Sequence, residues 1–289
     1  MQEAIRKTEV LIEALPYIEA FRDKAVVIKY GGSAIVDARK RKNVLEDIIF
    51  MSCSGMKPVI VHGGGPFINK KLKKKGIRSE FVNGLRVTDE RSLKVIKEVL
   101  TRVNRQIVRE IRSLGGKAQG LTVRSRVIKA KRNSRFGDIG FVGEITSIDT
   151  HKLKELFDRD VIPVIAPFGM GRDGKTYNVN ADLASASVAS SLGAEKLALL
   201  TNVDGIFRDR NDKDSLISTV GMRQVRNLIR RGIIDTGMIP KVMACVSALK
   251  KGVNKIHIIN AGLSHALLLE IFTDEGIGTQ IVKSKRKKR

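Results

Sequence analysis

The stretch AVVIKYGGS, Ala25 to Ser33, decides the fold: a short apolar run stops at two glycines, and a helical pattern through about Ser52 follows. A strand apolar on both faces belongs in a sheet covered on both sides. The arrangement returns at Pro58–Val61 (PVIV), followed by His62-Gly63-Gly64-Gly65-Pro66 and a second helical pattern. Pro66 falls near the first helical position, where a missing N–H costs nothing. Further strands are expected at Val161–Ala166, Lys196–Leu200 and Ile256–Ile259, with a β-rich stretch over 118–148 and a turn-rich hairpin at Gly169–Gly174. Between them the spacing predicts a long helix from about Asp89 to Leu114, with Thr88 as N-cap and Gly115-Gly116 as its stop. Helices are also expected near 150–158, over Ala181–Leu192, near 219–231 and 238–251, and over His265–Phe272. Alternating βα units of this kind make an α/β fold around a mostly parallel central sheet. Residues 2–21 form a separate amphipathic helix, with Val10, Leu11, Leu15 and Ile18 apolar and no strand to pack beside.

The chain has 289 residues and a formal net charge of +24, with 42% hydrophobic residues. That length supports a core without staples, and that composition is too apolar for a disordered basic tail. No apolar stretch approaches the roughly 18 residues of a membrane span, so none is expected. The two cysteines and four scattered histidines show no metal-ligand spacing, and the N-terminus lacks a signal-peptide pattern, which makes the cytoplasm the expected location. The charge is concentrated: 91–135 carry a net +12, Lys283–Arg289 add six, Lys70–Lys75 five and Arg39–Lys42 four, leaving the rest near −3. This pattern reads as a solvated basic surface or as a polyanion contact. With 4% aromatic residues and no Trp, stacking platforms for single strands are poorly supplied.

Two glycine turns, each after a strand and before a helix, bring free backbone N–H groups together where a phosphate could approach, although a plain tight turn has the same composition. Neither is a P-loop, and GxGxxG is absent from the first turn. Lys29 ends the first strand at the mouth of such a turn, where its ammonium would neutralise a phosphoryl group in transfer or simply reach solvent. Lys241, in Gly237-Met238-Ile239-Pro240-Lys241, stands at a helix N-terminus, where a cation is disfavoured by about 0.3–1 kcal/mol. Asp182 falls in the first turn of the small-residue helix, where the dipole favours a carboxylate in any case.

Seven segments, VVIKYGG (Val26–Gly32), VHGGGP (Val61–Pro66), NGLRVTD (Asn83–Asp89), YNVNAD (Tyr177–Asp182), LLTNVDGIF (Leu199–Phe207), GMIPKV (Gly237–Val242) and EGIGTQIV (Glu275–Val282), together resemble the amino acid kinase family. Within it they resemble the members that phosphorylate N-acetyl-L-glutamate on its side-chain carboxylate, a step of arginine biosynthesis. The resemblance implies an open αβα sandwich, with an N-terminal lobe (23–180) binding the acyl amino acid and dimerising, and a C-terminal lobe (181–282) holding ATP and Mg²⁺. It implies that Lys29 and Lys241 stabilise the phosphoryl group and Asp182 orients them. Gly31 and Gly32 would line the nucleotide phosphates, and Thr201, Asn202, Asp204 and Phe207 would sit by the nucleotide. Gly64 and Gly65 would receive the acyl substrate, with Arg86 and Asn178 at its polar ends. No residue is assigned to hold the metal without ATP.

The N-terminal helix (1–22) resembles that of arginine-inhibited members, where such helices join dimers into a hexamer; an intramolecular cap is the alternative. Lys196, Glu270 and Gly276 are the candidate arginine contacts, and 283–289 are expected to be a disordered basic tail. Three departures stand out: Thr122-Val123-Arg124-Ser125-Arg126 replaces a Ser-Gly-Lys-Asp-Gly hairpin, Ile35 a usual Met, and Thr236 a usual Gly. The first lies beside the substrate half and so bears on acyl specificity. Two other readings stay open: a sibling kinase acting on glutamate or aminoadipate carried by an acidic protein, and a non-catalytic protein binding nucleic acid or an acidic partner.

Overall fold

The computed structural model describes residues 1–235, 237–272 and 276–283, apart from the side chains of Ala4, Arg6, Lys7, Leu11 and Ser33. Thr236, Glu275 and residues 284–289 of the expected basic tail therefore lie outside the described residues. Eight described strands build one sheet: β1 (Ala25–Tyr30), β2 (Lys57–His62), β3 (Ala118–Leu121), β4 (Ile162–Ile165), β5 (Lys196–Thr201), β6 (Thr219–Gly221), β7 (Lys255–Asn260) and β8 (Thr279–Val282). Their order across the sheet is β6-β8-β7-β5-β1-β2-β4-β3, and each neighbouring pair is parallel except β7 with β8.

The helices are α1 (Gln2–Phe21), α2 (Ser33–Val36), α3 (Ala38–Cys53), α4 (Gly65–Lys74), α5 (Glu90–Ser113), α6 (Thr150–Phe157), α7 (Ala181–Leu192), α8 (Met222–Arg230), α9 (Ile239–Lys250) and α10 (Ala266–Ile271). Helices α3, α5 and α10 cover one face of the sheet, and α6 to α9 cover the other. Alternation along β1 feeds both cores. Val26 and Ile28 pack with Ile48, Ile96 and Leu267, whereas Val27 packs with Val188, Leu249 and Ile258. The same period of two turns Lys29 toward the α7 face, where Asp182 is.

After β1 the chain lays down β2, β3 and β4 on one side of it and then crosses to place β5 on the other. That reversal opens a crevice beyond the carboxyl ends of β1, β2 and β5, the place where α/β sheets bind ligands. Smaller pieces wall it. One is a four-stranded sheet of Thr176–Asn178, Phe168–Met170, Ile128–Arg132 and Gly143–Ile148. The other is a hairpin pairing Phe81–Val82 with Leu85–Arg86. Its turn, Asn83-Gly84, has φ of 49° and 77°, the twist that two-residue hairpins favour.

Several expectations need correction. The helix expected from Ser33 to about Ser52 is broken at Asp37, whose side chain accepts from the backbone N–H of Lys40 and restarts it as α3. Asp89, not Thr88, caps α5, accepting from Ser92 N–H at 2.7 Å. Thr88 is fully buried and donates its hydroxyl to the Arg86 carbonyl. Residues 219–221 form a parallel edge strand rather than the start of a helix, and strand β8 was not expected.

Candidate active site

Lys29 and Lys241 converge on one carboxylate. Asp182 Oδ2 accepts a 2.8 Å hydrogen bond from Lys241 Nζ, and its Oδ1 lies 3.3 Å from Lys29 Nζ as an ion pair without hydrogen-bond alignment. Helix α7 starts here because Asn180 accepts from the N–H groups of Asp182 and Leu183 at 2.8 and 3.2 Å. Burial opposes ionisation of Asp182, but the two ammonium groups outweigh it and hold the carboxyl below its ordinary value. For Lys29, burial lowers the pKa; Asp182 opposes this and Lys241 reinforces it. Lys29 is 12% exposed, so it does not simply run out to solvent. Lys29 and Asp182 line the crevice, and Lys241 is tied to it through Asp182.

Lys29, Gly31, Gly32, Gly64, Gly65, Arg86, Asn178 and Asp182 line a single cleft of about 260 Å³. Gly31, Gly32 and Gly64 keep space that a side chain would fill, whereas nothing lies within 4 Å of a Cβ on Gly65. A Cβ on Gly31 would lie 3.0 Å from Lys29 Nζ, and one on Gly64 only 2.6 Å from Leu100 Cδ2. Gly32 has φ +68°, and a Cβ there would meet Asn202 Oδ1 at 2.9 Å. The second turn is pinned by contacts the sequence did not reveal. Gly63 N–H donates to the Tyr30 carbonyl at 2.7 Å, and the buried His62 sits between the Gly63 carbonyl and Asn104 Nδ2. Burial lowers the His62 pKa to about 4, so the ring is neutral and structural: Nδ1–H donates to Gly63 and Nε2 accepts from Asn104.

On the hairpin wall, Arg86 donates to Ser79 Oγ and, at 2.7 Å, to Asn69 Oδ1, and its guanidinium lies 4.5 Å from the centre of the Phe81 ring. Burial lowers the Arg86 pKa. Asn178 donates to Thr88 Oγ1 at 3.2 Å, so a hydroxyl in the NGLRVTD segment orients an amide in YNVNAD. Across β1, Thr201, Asn202, Asp204 and Phe207 leave the carboxyl end of β5, outside the lining of the cleft itself. Asp204 accepts a 2.6 Å hydrogen bond from Asn260 at the end of β7, and Phe207 bridges to Leu216. Of these, Asn202 approaches the first glycine turn at Gly32. Among the described residues no cluster of three or more His, Cys, Asp or Glu side chains could hold a metal, and no helix is long and apolar enough to cross a membrane.

The effector candidates also come together, toward the amino end of β5. Lys196 Nζ lies 4.7 Å over the Phe21 ring, and burial lowers its pKa to about 8. Glu270 accepts from the N–H groups of Ile277 and Gly278, and a Cβ on Gly276 would lie 3.1 Å from its Oε1. Sequence reading missed His257, which is 4% exposed and pairs with Glu270 through Nδ1, while its buried Nε2 has no hydrogen-bond partner. The available signal was a histidine inside the apolar strand Lys255–Asn260. The altered segment 122–126 does not reach the cleft. It forms a short turn beyond β3, and Thr122, Val123 and Arg124 face a basic groove with Lys97, Arg105, Arg109 and Arg112.

The profile of the amino acid kinase family matches residues 24–260. The acetylglutamate kinase of Thermoanaerobacter pseudethanolicus is 50% identical over 283 residues, covering 97% of this chain and 95% of that one. That of Heliobacterium modesticaldum is 48% identical, covering 98% and 100%. Among solved structures, N-acetylglutamate synthase from Neisseria gonorrhoeae complexed with coenzyme A and N-acetyl-glutamate superposes with a TM-score of 0.87 at 28% identity. That match covers 96% of this chain, which spans 64% of the synthase's length. Carbamate kinase from Giardia lamblia bound to AMP-PNP has the same fold, with a TM-score of 0.68 at 16% identity and 91% of this chain covered. Profile, relatives and fold agree over nearly the whole length: the chain belongs to the amino acid kinase family.

Proposed function

We propose that the chain is an ATP-dependent carboxylate kinase that converts N-acetyl-L-glutamate to N-acetyl-L-glutamyl 5-phosphate, working in the cytoplasm. The observation that carries this reading is the Lys29–Asp182–Lys241 trio between two glycine turns, in a cleft whose far wall offers Arg86 and Asn178. Relatives named acetylglutamate kinase at 50% and 48% identity support the substrate.

The chemistry follows from the residues present. A γ-carboxylate of pKa about 4.3 is ionised at neutral pH and needs no general base. The barrier is repulsion between an anionic nucleophile and an anionic phosphoryl group, which positioned cations and N–H groups relieve. Lys29 and Lys241 supply the cations from opposite sides of Asp182, which fixes their direction. Gly31 and Gly32 would admit the nucleotide phosphates against bare backbone, with Thr201, Asn202, Asp204 and Phe207 beside the nucleotide. Gly64, Gly65, Arg86 and Asn178 would hold the acyl substrate. The residues present suit Mg²⁺ arriving on ATP rather than held by a carboxylate cage, and the ion would add charge neutralisation on the phosphates. The halves 23–180 and 181–282 would thus take acyl substrate and nucleotide respectively. ADP release with N-acetylglutamate, lowered about a hundredfold or more in Lys29→Ala and Lys241→Ala, tests the reading.

A regulatory reading rests on Lys196, His257, Glu270 and Gly276. Buried Glu270 and the open Nε2 of His257 suit the guanidinium and amino groups of arginine, and we assign that ligand here. Helix α1 would serve assembly of dimers into a hexamer, since Ile5, Val10, Ile12 and Leu15 are exposed on it. Inhibition of ADP release by arginine, and sedimentation of the intact chain, test these two assignments.

A further inference from the structure

The tip of the Arg86 hairpin touches both elements that carry the reaction. A Cβ on Gly84 would lie 3.1 Å from Cγ of Pro240, so the turn backbone rests on the ring that immediately precedes Lys241. The Gly84 carbonyl accepts from Asn180 Nδ2 at 3.4 Å, while Asn180 Oδ1 caps α7 through Asp182 and Leu183. With Asp182 bonded to Lys241, these contacts close a circuit running from Gly84 through Asn180, Asp182, Lys241 and Pro240 back to Gly84. Its Asn180–Gly84 hydrogen bond is the long one. At 3.4 Å the Asn180 bond exceeds the usual 2.7–3.2 Å, and such bonds commonly tighten when substrate binds. The turn also has room to shift. Leu85 and Asn180 line both the reaction cleft and a second hollow of about 390 Å³, bounded by Phe136, Leu183, Pro240 and Met243.

We propose that the Asn83-Gly84 turn, acting through Asn180 and Pro240, is a positioning element for the catalytic groups. An acyl carboxylate seated on Arg86 draws the hairpin inward, and the turn then sets Asp182 through Asn180 and Lys241 through Pro240. Substrate occupancy and catalytic geometry are coupled in this way, and a misplacement of about 1 Å is enough to cost much of the rate. The inference rests on the carboxylate-kinase reading for its substrate. The circuit itself does not depend on that reading.

The variants Asn180→Ser and Pro240→Ala separate positioning from folding. Serine caps a helix about as well as asparagine but is too short to reach the Gly84 carbonyl, and alanine is well tolerated in a first helical turn. The measurements are kcat, KM for each substrate, melting temperature, and hydrogen exchange of amides 81–86 in the unliganded protein. Each variant is expected to melt within about 3 °C of the parent. In each, kcat should fall about fivefold or more with KM for ATP unchanged. Amides 81–86 should exchange faster, and the double variant should lose less than the product of the single losses, because both act in one circuit. Parental kcat in both variants, or a loss of kcat that follows melting temperature, overturns the proposal. If the parent releases no ADP with N-acetylglutamate, the substrate reading fails alone. The exchange of 81–86, which needs no turnover, then decides: faster in the variants sustains the positioning element, and unchanged overturns it.

Discussion

Asp182 Oδ2 accepts a 2.8 Å hydrogen bond from Lys241 Nζ, joining the first turn of α7 to the first turn of α9. This contact explains a lysine placed where a helix dipole disfavours a cation: the carboxylate opposite it compensates. It also ties the ammonium to Asp182, which lines the crevice, although Lys241 itself is not among the lining residues.

Replacing either lysine by alanine should lower kcat by about a hundredfold or more, the scale seen when a preorganised charge is removed from a transition state. Thermal stability should change little for Lys29→Ala, since burial already disfavours that ammonium. Steady-state ADP release together with a melting curve checks both parts.

Gly32→Ala should weaken ATP. The new Cβ meets Asn202 Oδ1 at 2.9 Å and the residue must keep φ +68°, so the turn moves instead. KM for ATP is expected to rise about tenfold with KM for the acyl acid near the parental value, a split that follows from loss of ground-state binding.

Asp47 provides a pH test. It is fully buried on α3, accepts from His265 Nδ1 at 2.6 Å and from Leu267 N–H, and burial raises its pKa to about 6. A carboxyl raised above its unfolded value keeps more protons folded than unfolded, so its contribution is most favourable below about pH 4 and is lost as pH rises through about 6. Relative to Asp47→Asn, the parent should lose up to about 3 kcal/mol of unfolding free energy between pH 4 and pH 7. Urea unfolding of both proteins at the two pH values measures this. An equal difference at both would show that burial does not strain the charge.

Glu270→Gln should raise the arginine concentration needed for half-inhibition about tenfold or more, since a buried charge-assisted contact is worth about 1.5–3 kcal/mol. Dose–response curves of ADP release in parent and variant check it. Equal sensitivity to arginine would remove the Lys196–His257–Glu270 cluster as the effector site.

The fold was legible because it rests on local signals, and the candidate trio Lys29, Asp182 and Lys241 was legible through the family resemblance of the segments that carry it. Apolar runs ending in glycine gave β1 and β2, and the small-residue pattern placed α7 at Ala181–Leu192, as found. What the sequence left hidden depends on the tertiary arrangement. Nothing local distinguishes Thr88 from Asp89 as a cap until Thr88 is seen buried between Arg86 and Asn178. No local signal shows that His62 pins the second glycine turn until Asn104 and the Gly63 carbonyl are found at its two nitrogens. Strand β8 is only Thr279–Val282, too short to show alternation, and it forms because β7 offers it an antiparallel edge. The altered segment 122–126 appeared to border the substrate, yet the crossover after β3 carries it to the α5 side.

The most direct test of the central claim is ADP release by the intact chain with ATP, Mg²⁺ and a panel of carboxylic acids. The account predicts turnover with N-acetyl-L-glutamate that far exceeds turnover with free glutamate or free aminoadipate and falls about a hundredfold or more in Lys241→Ala. Turnover only with a carrier-linked acid, or near-parental N-acetylglutamate turnover in Lys241→Ala, would contradict it.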